Sequence, residues 1–270
     1  MAHFILTPVR TALVLALGGA LLPSAHATNG YFPHGFGIKA KGMGGASVAM
    51  TDNAFAGANN PAIAAWAGNR AELGLDVFMP ERSMERSGSG AGLNARVTSD
   101  STSFLVPEFG YNRAINDRLG AGITVYGNGG MNTDYAGGQI NCGGGAANVL
   151  CGSSRLGVDL MQLIVAPTIA YNVSDRQSLG VSPLLVQQIF KADGVQAFDN
   201  APGFPPMTGA PGMVTNQGYD SSNGVGIRLG YLGKLSDTVS VGASYAPKIA
   251  MSKFSKYAGL FADGGNFDIP

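Results

Sequence analysis

The chain has 270 residues, 17 Lys and Arg balanced by 17 Asp and Glu, and so no basic excess to neutralise phosphates, which excludes nucleic acid as a partner. Only 13% of residues are charged, 45% are hydrophobic and 41 are glycine. A disordered chain would be charged and poor in aliphatics, and an ordinary soluble enzyme would carry more charge and less glycine.

The first ten residues carry one clear positive charge, residues 11–22 are a short apolar run, and Ala25-His26-Ala27 is a small-x-small cleavage site. That order predicts a secretory signal peptide over residues 1–27, cut after Ala27. The run is far short of the roughly 20 residues that a spanning helix needs. Residues 28–69 are rich in Gly, Ala and Asn and do not alternate, which predicts a compact segment of short helices and turns. From Arg70 onward the pattern has period two, broken by turns and long polar loops. Seven strands are expected, at 70–80, 102–111, 118–127, 159–172, 177–191, 223–232 and 238–251. Each is near or above the roughly 9–11 residues of a tilted strand that crosses a bilayer.

Parity gives these strands two unlike faces. Leu73, Leu75, Val77 and Met79 oppose Glu72, Gly74, Asp76 and Phe78; Leu105, Pro107, Phe109 and Tyr111 oppose Phe104, Val106, Glu108 and Gly110. Val225, Ile227, Leu229 and Tyr231 oppose Gly224, Gly226, Arg228 and Gly230, and Val239, Val241, Ala243 and Tyr245 oppose Thr238, Ser240, Gly242 and Ser244. Mid-strand charge therefore keeps to one face. An arginine on the lipid face at mid-bilayer costs roughly 2–4 kcal/mol, which Arg228 avoids if its face lines a lumen. A soluble sandwich would carry charge on its outer face; here the less apolar face is mostly Gly, Ser and Thr, which suits a barrel interior.

Tyr111, Tyr171 and Tyr231 stand sixty residues apart, each ending a strand before a short turn that contains Asp117, Asp175 or Asp237. Longer loops, at about 80–101, 128–158 and 191–222, join the other strand ends. Alternating short turns and long loops are the habit of outer-membrane barrels, and the tyrosines are expected in an aromatic girdle at the short-turn interface. Cys142 and Cys151, the two cysteines of the chain, share one Gly-rich loop and are expected to pair in an exported protein. Without a nearby histidine they make a poor metal site.

Catalytic and cofactor chemistry is sparse. His34 is the one histidine beyond residue 27, no Gly-x-Ser-x-Gly elbow accompanies it, and no Walker A loop occurs, so neither an enzyme nor a cofactor is expected. Gly120/Gly122 and Gly224/Gly226 lie inside strands, where they would admit close packing against a plug. Phe198, Phe204, Met207 and Met213 in the third long loop, with Phe254, Tyr257, Leu260 and Phe261 in the last segment, either pack on each other to order the loops or form an apolar groove that collects greasy ligands.

The block Asn29-Gly30-Tyr31-Phe32-Pro33-His34-Gly35-Phe36-Gly37 runs into Lys39-Ala40-Lys41-Gly42-Met43-Gly44-Gly45-Ala46, and Asp52-Asn53-Ala54 leads to Asn60-Pro61-Ala62. This block resembles the start of the FadL/TodX family of outer-membrane transporters for long-chain fatty acids and aromatic hydrocarbons. Val106-Pro107-Glu108-Phe109-Gly110-Tyr111 resembles the family's second strand, less specifically. The resemblance implies an all-β, fourteen-stranded transmembrane barrel around an N-terminal hatch at 28–69, with residues 70–270 forming part of the barrel. Gly42, Gly44, Gly45, Asn60, Pro61 and Ala62 would belong to the hatch, and Thr28 and Asn29 would lie near an inner ligand site. The strand at 118–127 would be kinked at Gly120, Gly122 or Gly127, opening a gap for sideways exit into the membrane. The implied partners are a hydrophobic small molecule, outer-membrane lipid and the barrel assembly machinery, with a monomer expected for a full-length protein. Seven strands are half of fourteen, and an open sheet edge cannot face lipid, so the chain is expected to be an N-terminal fragment or a truncated gene product. The rival readings are an exported structural or adhesive β-protein without transport activity and, less favoured, a lipid-acting enzyme that uses His34.

Overall fold

Seven strands pair antiparallel in one meander: β1 (Arg70–Phe78), β4 (Phe104–Ala114), β5 (Leu119–Tyr135), β8 (Leu156–Ser174), β9 (Gln177–Asp193), β10 (Asp220–Lys234) and β11 (Ser240–Tyr245). Two small hairpins decorate the loops, β2 (Ser83–Arg86) with β3 (Ala95–Thr98), and β6 (Ile140–Asn141) with β7 (Ala146–Ala147). The computed structural model describes residues 32–199 and 207–270. The expected signal peptide, Thr28, Asn29 and Phe204 lie outside the described residues.

The seven strands are those the alternation predicts, and the sheet is half of a barrel wall. Its outer face exposes Leu73, Leu75, Val77, Leu105, Val225, Ile227 and Leu229. Its inner face buries Glu108, Asn112, Thr124, Tyr126, Ile164, Leu184 and Ser182. Such an apolar exterior over a mixed, small-residue interior is the arrangement of a strand wall that faces lipid. The short turns and long loops fall at opposite ends as expected. Tyr111 and Tyr171 are half-exposed, and Tyr171 and Tyr231 both pair with Leu179, so these two share one level of the wall.

Two strand ends depart furthest from expectation. β5 continues through Gly127–Gly130 to Tyr135, because this glycine run is a β-bulge inside the strand rather than the start of a loop: its register with β8 shifts between Gly127 and Gly129. The last strand stops at Tyr245 instead of 251, just before Ala246-Pro247, where proline removes a ladder donor. Beyond it the chain folds over the inner face. Met251 bridges Gly224, Ile249 bridges Ile269, and a β-carbon on Gly226 would meet the Ile249 side chain.

Residues 32–69 hold α1 (Ile38–Gly42), α2 (Ala56–Asn59) and a 3-10 turn (Pro61–Ala65), the last two packed against the inner face. Phe55 and Ala58 pack with Tyr126, Ile164, Ala166 and Leu184; Ala62, Ile63 and Ala64 pack with Ala170 and Leu232.

Candidate translocation path

The seat of the N-terminal segment is built from missing side chains. Gly120 pairs with Ala170, Ala170 with Gly180, and Gly180 with Gly230, so one level of the wall presents only hydrogens and a methyl group inward. The Asn60-Pro61-Ala62 turn occupies that level. A β-carbon on Gly120 would collide with the Ala64 carbonyl, one on Gly180 with the Pro61–Ala62 peptide, and one on Gly230 with Asn60 Oδ1. Asn60 is fully buried and caps the turn: its Oδ1 accepts from Ala62 N at 3.0 Å, and its Nδ2 donates to Val48 O at 2.7 Å and to Tyr231 O at 2.9 Å. One side chain thus ties the turn both to its own segment and to β10. Of the other expected hatch glycines, Gly45 passes so close to the His34 carbonyl that no side chain fits, while Gly42 and Gly44 face open space.

Charge fastens the same segment. Lys41 Nζ lies 2.5 Å from Asp76 on β1 and 3.1 Å from Glu108 on β4. Glu108, 5% exposed, also accepts from Gly37 N at 3.1 Å. Arg228 donates from β10 to the carbonyls of Gly57 and Ala58 and to the Tyr126 hydroxyl, 3.2 Å away. The parity expectation for Arg228, Asp76 and Glu108 therefore agrees with the structure, all three facing inward. Lys41 was missed as a functional residue; the signal was the pair of inward acids on adjacent strands, which requires a cation.

The wall is interrupted on one side. The β4–β5 ladder runs from Ala114↔Gly120 up to Glu108↔Tyr126 and stops. Above that point Phe104, Leu105, Val106 and Pro107 still pair with β1, and β5 still pairs with β8, but the two strands no longer pair with each other. Pro107 has no N–H to offer, and the bulge swings β5 away. The bulge also changes which side chains look inward. Tyr126 does so before it, Asn128 within it, and Met131 and Tyr135 after it. The gap has a floor and a roof. Phe36 packs at a tilt against Tyr126 at its lower edge, with ring centroids 4.4 Å apart. At the upper edge Arg82 donates to the carbonyls of Asn132 and Ser101 and lies 5.4 Å from the Phe104 ring, and Asp100 N reaches Asp134 O at 2.8 Å. Of the three expected kink glycines, Gly127 sits at the bulge, where a β-carbon would lie 3.0 Å from a Val106 methyl group. Gly120 serves the seat, and Gly122 packs against Tyr111 and Asn112 of β4.

Above the gap the structure gathers Phe254, Tyr257 and Phe261 around Phe190, with ring centroids 4.8–5.5 Å from it. Phe254 and Tyr257 are fully buried, so they form a closed aromatic cluster rather than an exposed groove wall. The Tyr257 hydroxyl donates to Gly218 O at 2.7 Å and accepts from Ala192 N at 3.1 Å, and burial raises its pKa above the ordinary phenol range. Phe198, Met207 and Met213 remain exposed on the loop side. Sequence reasoning missed Phe190, whose even position on β9 beside Leu184 and Val186 was the available sign. Cys142 and Cys151 are disulfide-bonded in the loop between β5 and β8. Among the described residues no cluster of His, Cys, Asp or Glu has the makings of a metal site.

An apolar-skinned strand wall, glycine-lined within and filled by its own N-terminal segment, defines a membrane-spanning β-barrel packed from inside. The chain belongs to the outer membrane protein transport protein family (OMPP1/FadL/TodX), whose profile matches residues 33–266. Among solved structures it is similar to the toluene transporter TodX of P. putida, at 20% identity and TM-score 0.59, over 87% of this chain and 61% of that one. It is also similar to a FadL homologue of Pseudomonas aeruginosa (15% identity, TM-score 0.48, 76% of this chain and 49% of that one). The CymD monoaromatic hydrocarbon channel matches at 17% identity and TM-score 0.49, over 90% of this chain and 60% of that one. The chain thus spans less than two thirds of the length of each. No curated protein is matched.

Proposed function

We propose that this chain forms part of a passive outer-membrane channel for small hydrophobic molecules, in which residues 32–69 act as a hatch and ligand leaves sideways through the gap between β4 and β5. The observation that carries this reading is the end of the β4–β5 ladder at Glu108↔Tyr126, directly beside the bulge at Gly127–Gly129. Unpaired backbone at membrane depth costs several kcal/mol per group unless it lines a cavity or a path, so a gap maintained by a proline and a bulge is consistent with use. An apolar solute gains by moving from water into apolar surroundings, which makes sideways release into the bilayer a downhill step without an energy source. The family and the likeness to a toluene transporter favour aromatic hydrocarbons or long-chain fatty acids as cargo. Membrane lipid and the barrel assembly machinery are the partners this reading requires.

The test is a removable staple. Val106→Cys with Gly127→Cys places two thiols across the gap, where a β-carbon at position 127 would lie 3.0 Å from a Val106 methyl group. Uptake of a labelled aromatic hydrocarbon into whole cells should fall at least tenfold when the pair is oxidised and recover on reduction. Full uptake through the oxidised, correctly assembled barrel would rule out sideways exit at this gap.

A further inference from the structure

The opening between β4 and β5 has an upper and a lower border of different origin. The upper border belongs to the wall and its loops. Ser99 bridges Tyr135, Asp100 N donates to Asp134 O at 2.8 Å, and Arg155 pairs with Asp134 at 2.7 Å and also with Asp100. The lower border is the last ladder pair, Glu108↔Tyr126. That pair offers almost no surface of its own, since Tyr126 is 0% exposed and Glu108 5%. The N-terminal segment covers it. The Phe36 ring lies against Tyr126, and the next residue, Gly37, donates its N–H to Glu108 Oε2 at 3.1 Å. Two consecutive residues of that segment thus cap the two members of the pair that ends the ladder.

Both sides are shaped for this contact. Gly74 pairs with Glu108 from β1, and a β-carbon there would lie 2.7 Å from Glu108 Oε1, so its absence leaves room for the carboxylate. Gly37 has φ +87°, a left-handed conformation that favours glycine, and a β-carbon on it would enter the Phe55 ring. Asn59 holds the main chain of Phe36 from both sides: Phe36 N donates to Asn59 Oδ1 at 3.3 Å, and Asn59 Nδ2 donates to Phe36 O at 2.9 Å. Asn59 adjoins Asn60, the buried cap of the seated turn. The main chain at Phe36 is therefore tied to the seat, whereas its ring is only partly buried. At this border the ring, rather than Tyr126, is the surface that a solute meets.

We propose that Phe36 is the sill of the side exit and a specificity-determining residue for it, its side chain limiting how wide a solute can pass from the lumen into the gap. The inference rests on the transport reading and assigns the lower limit of the exit to the N-terminal segment instead of the barrel wall. A smaller side chain lowers the sill and admits broader solutes; a larger one raises it. Because Asn59 grips main-chain atoms, a substitution at Phe36 changes the height of the sill without releasing the segment.

The probes are labelled p-xylene and labelled mesitylene, which share their chemistry while mesitylene is wider by one methyl group. Uptake of each is measured in whole cells expressing the full chain as the parent, Phe36→Ala or Phe36→Trp, with heat-modifiable mobility confirming assembly. A variant that does not assemble is replaced by its neighbour in size, Phe36→Leu for the smaller and Phe36→Tyr for the larger. The ratio of mesitylene to p-xylene uptake should rise by about fivefold or more with the smaller side chain and fall below the parent with the larger one. A ring that serves only to pack on Tyr126 would lower both uptakes together. A ratio that stays unchanged, or that moves the same way for both variants, overturns the inference while transport stands. If neither hydrocarbon enters faster than in cells lacking the protein, the transport reading falls and the sill with it.

Discussion

The two ends of the lumen are packed by opposite means. Near the short turns the N-terminal segment sits in a trough of glycines, and its polar atoms are met by capping, by the Lys41 ion pairs and by Arg228. Near the long loops bulky aromatics fill the space, and Gln188 and Asn266 keep unmet acceptors. Backbone-to-backbone contact tolerates almost no displacement, whereas aromatic packing with spare acceptors can exchange one occupant for another at modest cost. The comparison assigns the tightest packing to the level of Gly120, Gly180 and Gly230 and the looser side-chain packing to the aromatic level around Phe190.

The sharpest way to break that contrast is to fill the trough. Gly230→Val would drive a side chain into Asn60 Oδ1 and the Ala62 amide, and neither can retreat without unseating the turn. Overpacking of this kind costs about 1–3 kcal/mol even where neighbours can yield, and here the nearest are the fully buried, hydrogen-bonded Asn60 side chain, the Pro61 ring and the Ala62 amide. Loss of the folded, heat-modifiable species on electrophoresis is expected, whereas Gly90→Val, in a loop with open space around it, should leave it intact. Equal assembly of both variants would show that the trough is not a seat.

A smaller effect follows from the charge cluster. Lys41→Ala would leave Glu108 nearly buried beside Asp76 without their shared cation. Breaking a buried pair from one side typically costs about 3–5 kcal/mol; Lys41 is 20% exposed, so the lower end applies. Protease cleavage within residues 32–69 should accelerate in Lys41→Ala, and the added change Glu108→Gln should reverse most of it. If the single variant resists protease as well as the parent does, the cluster does not hold the segment.

The strands, the inward direction of Arg228 and the alternation of short and long connections could be read before any coordinates, because lipid outside and backbone inside impose opposite demands on neighbouring positions. The bulge could not. A run of four residues with glycine at 127, 129 and 130 has no face to read, and the extra residue inverts the parity of everything after it, so Met131 and Tyr135 look inward out of phase with Tyr126. The return of the chain after Tyr245 was hidden for a related reason. Ile249 and Met251 continue an apolar alternation that matches a strand, and only the glycines at 224 and 226, far away in sequence, show that these side chains have inner-face space to enter. The closing of Phe254 and Tyr257 into a buried cluster likewise depends on Phe190, sixty-odd residues upstream.

The weakest tie on the fixed side is the exposed pair between Lys39 and Asp52. Lys39 Nζ donates to the Asp52 carboxylate at 2.8 Å and to its carbonyl at 2.6 Å. The hydrogen bond from Lys39 holds the Asp52 carboxyl below its ordinary range. A carboxylate with a lowered folded-state pKa contributes stability that is fully present above its unfolded pKa and is lost as pH falls through the lowered value. The contribution therefore stands at neutral pH and vanishes in acid. The side chains are 46% and 62% exposed, so solvent screening limits it to at most about 0.5 kcal/mol. Asp52→Asn should then speed cleavage of the N-terminal segment by about twofold at most at pH 7, with the difference from the parent disappearing as pH falls below the ordinary carboxyl range. A difference that instead grew in acid would mean that Asp52 is strained in its ionised form, and that this end of the segment is held by the main-chain carbonyl of Asp52, which Lys39 and Arg70 both reach.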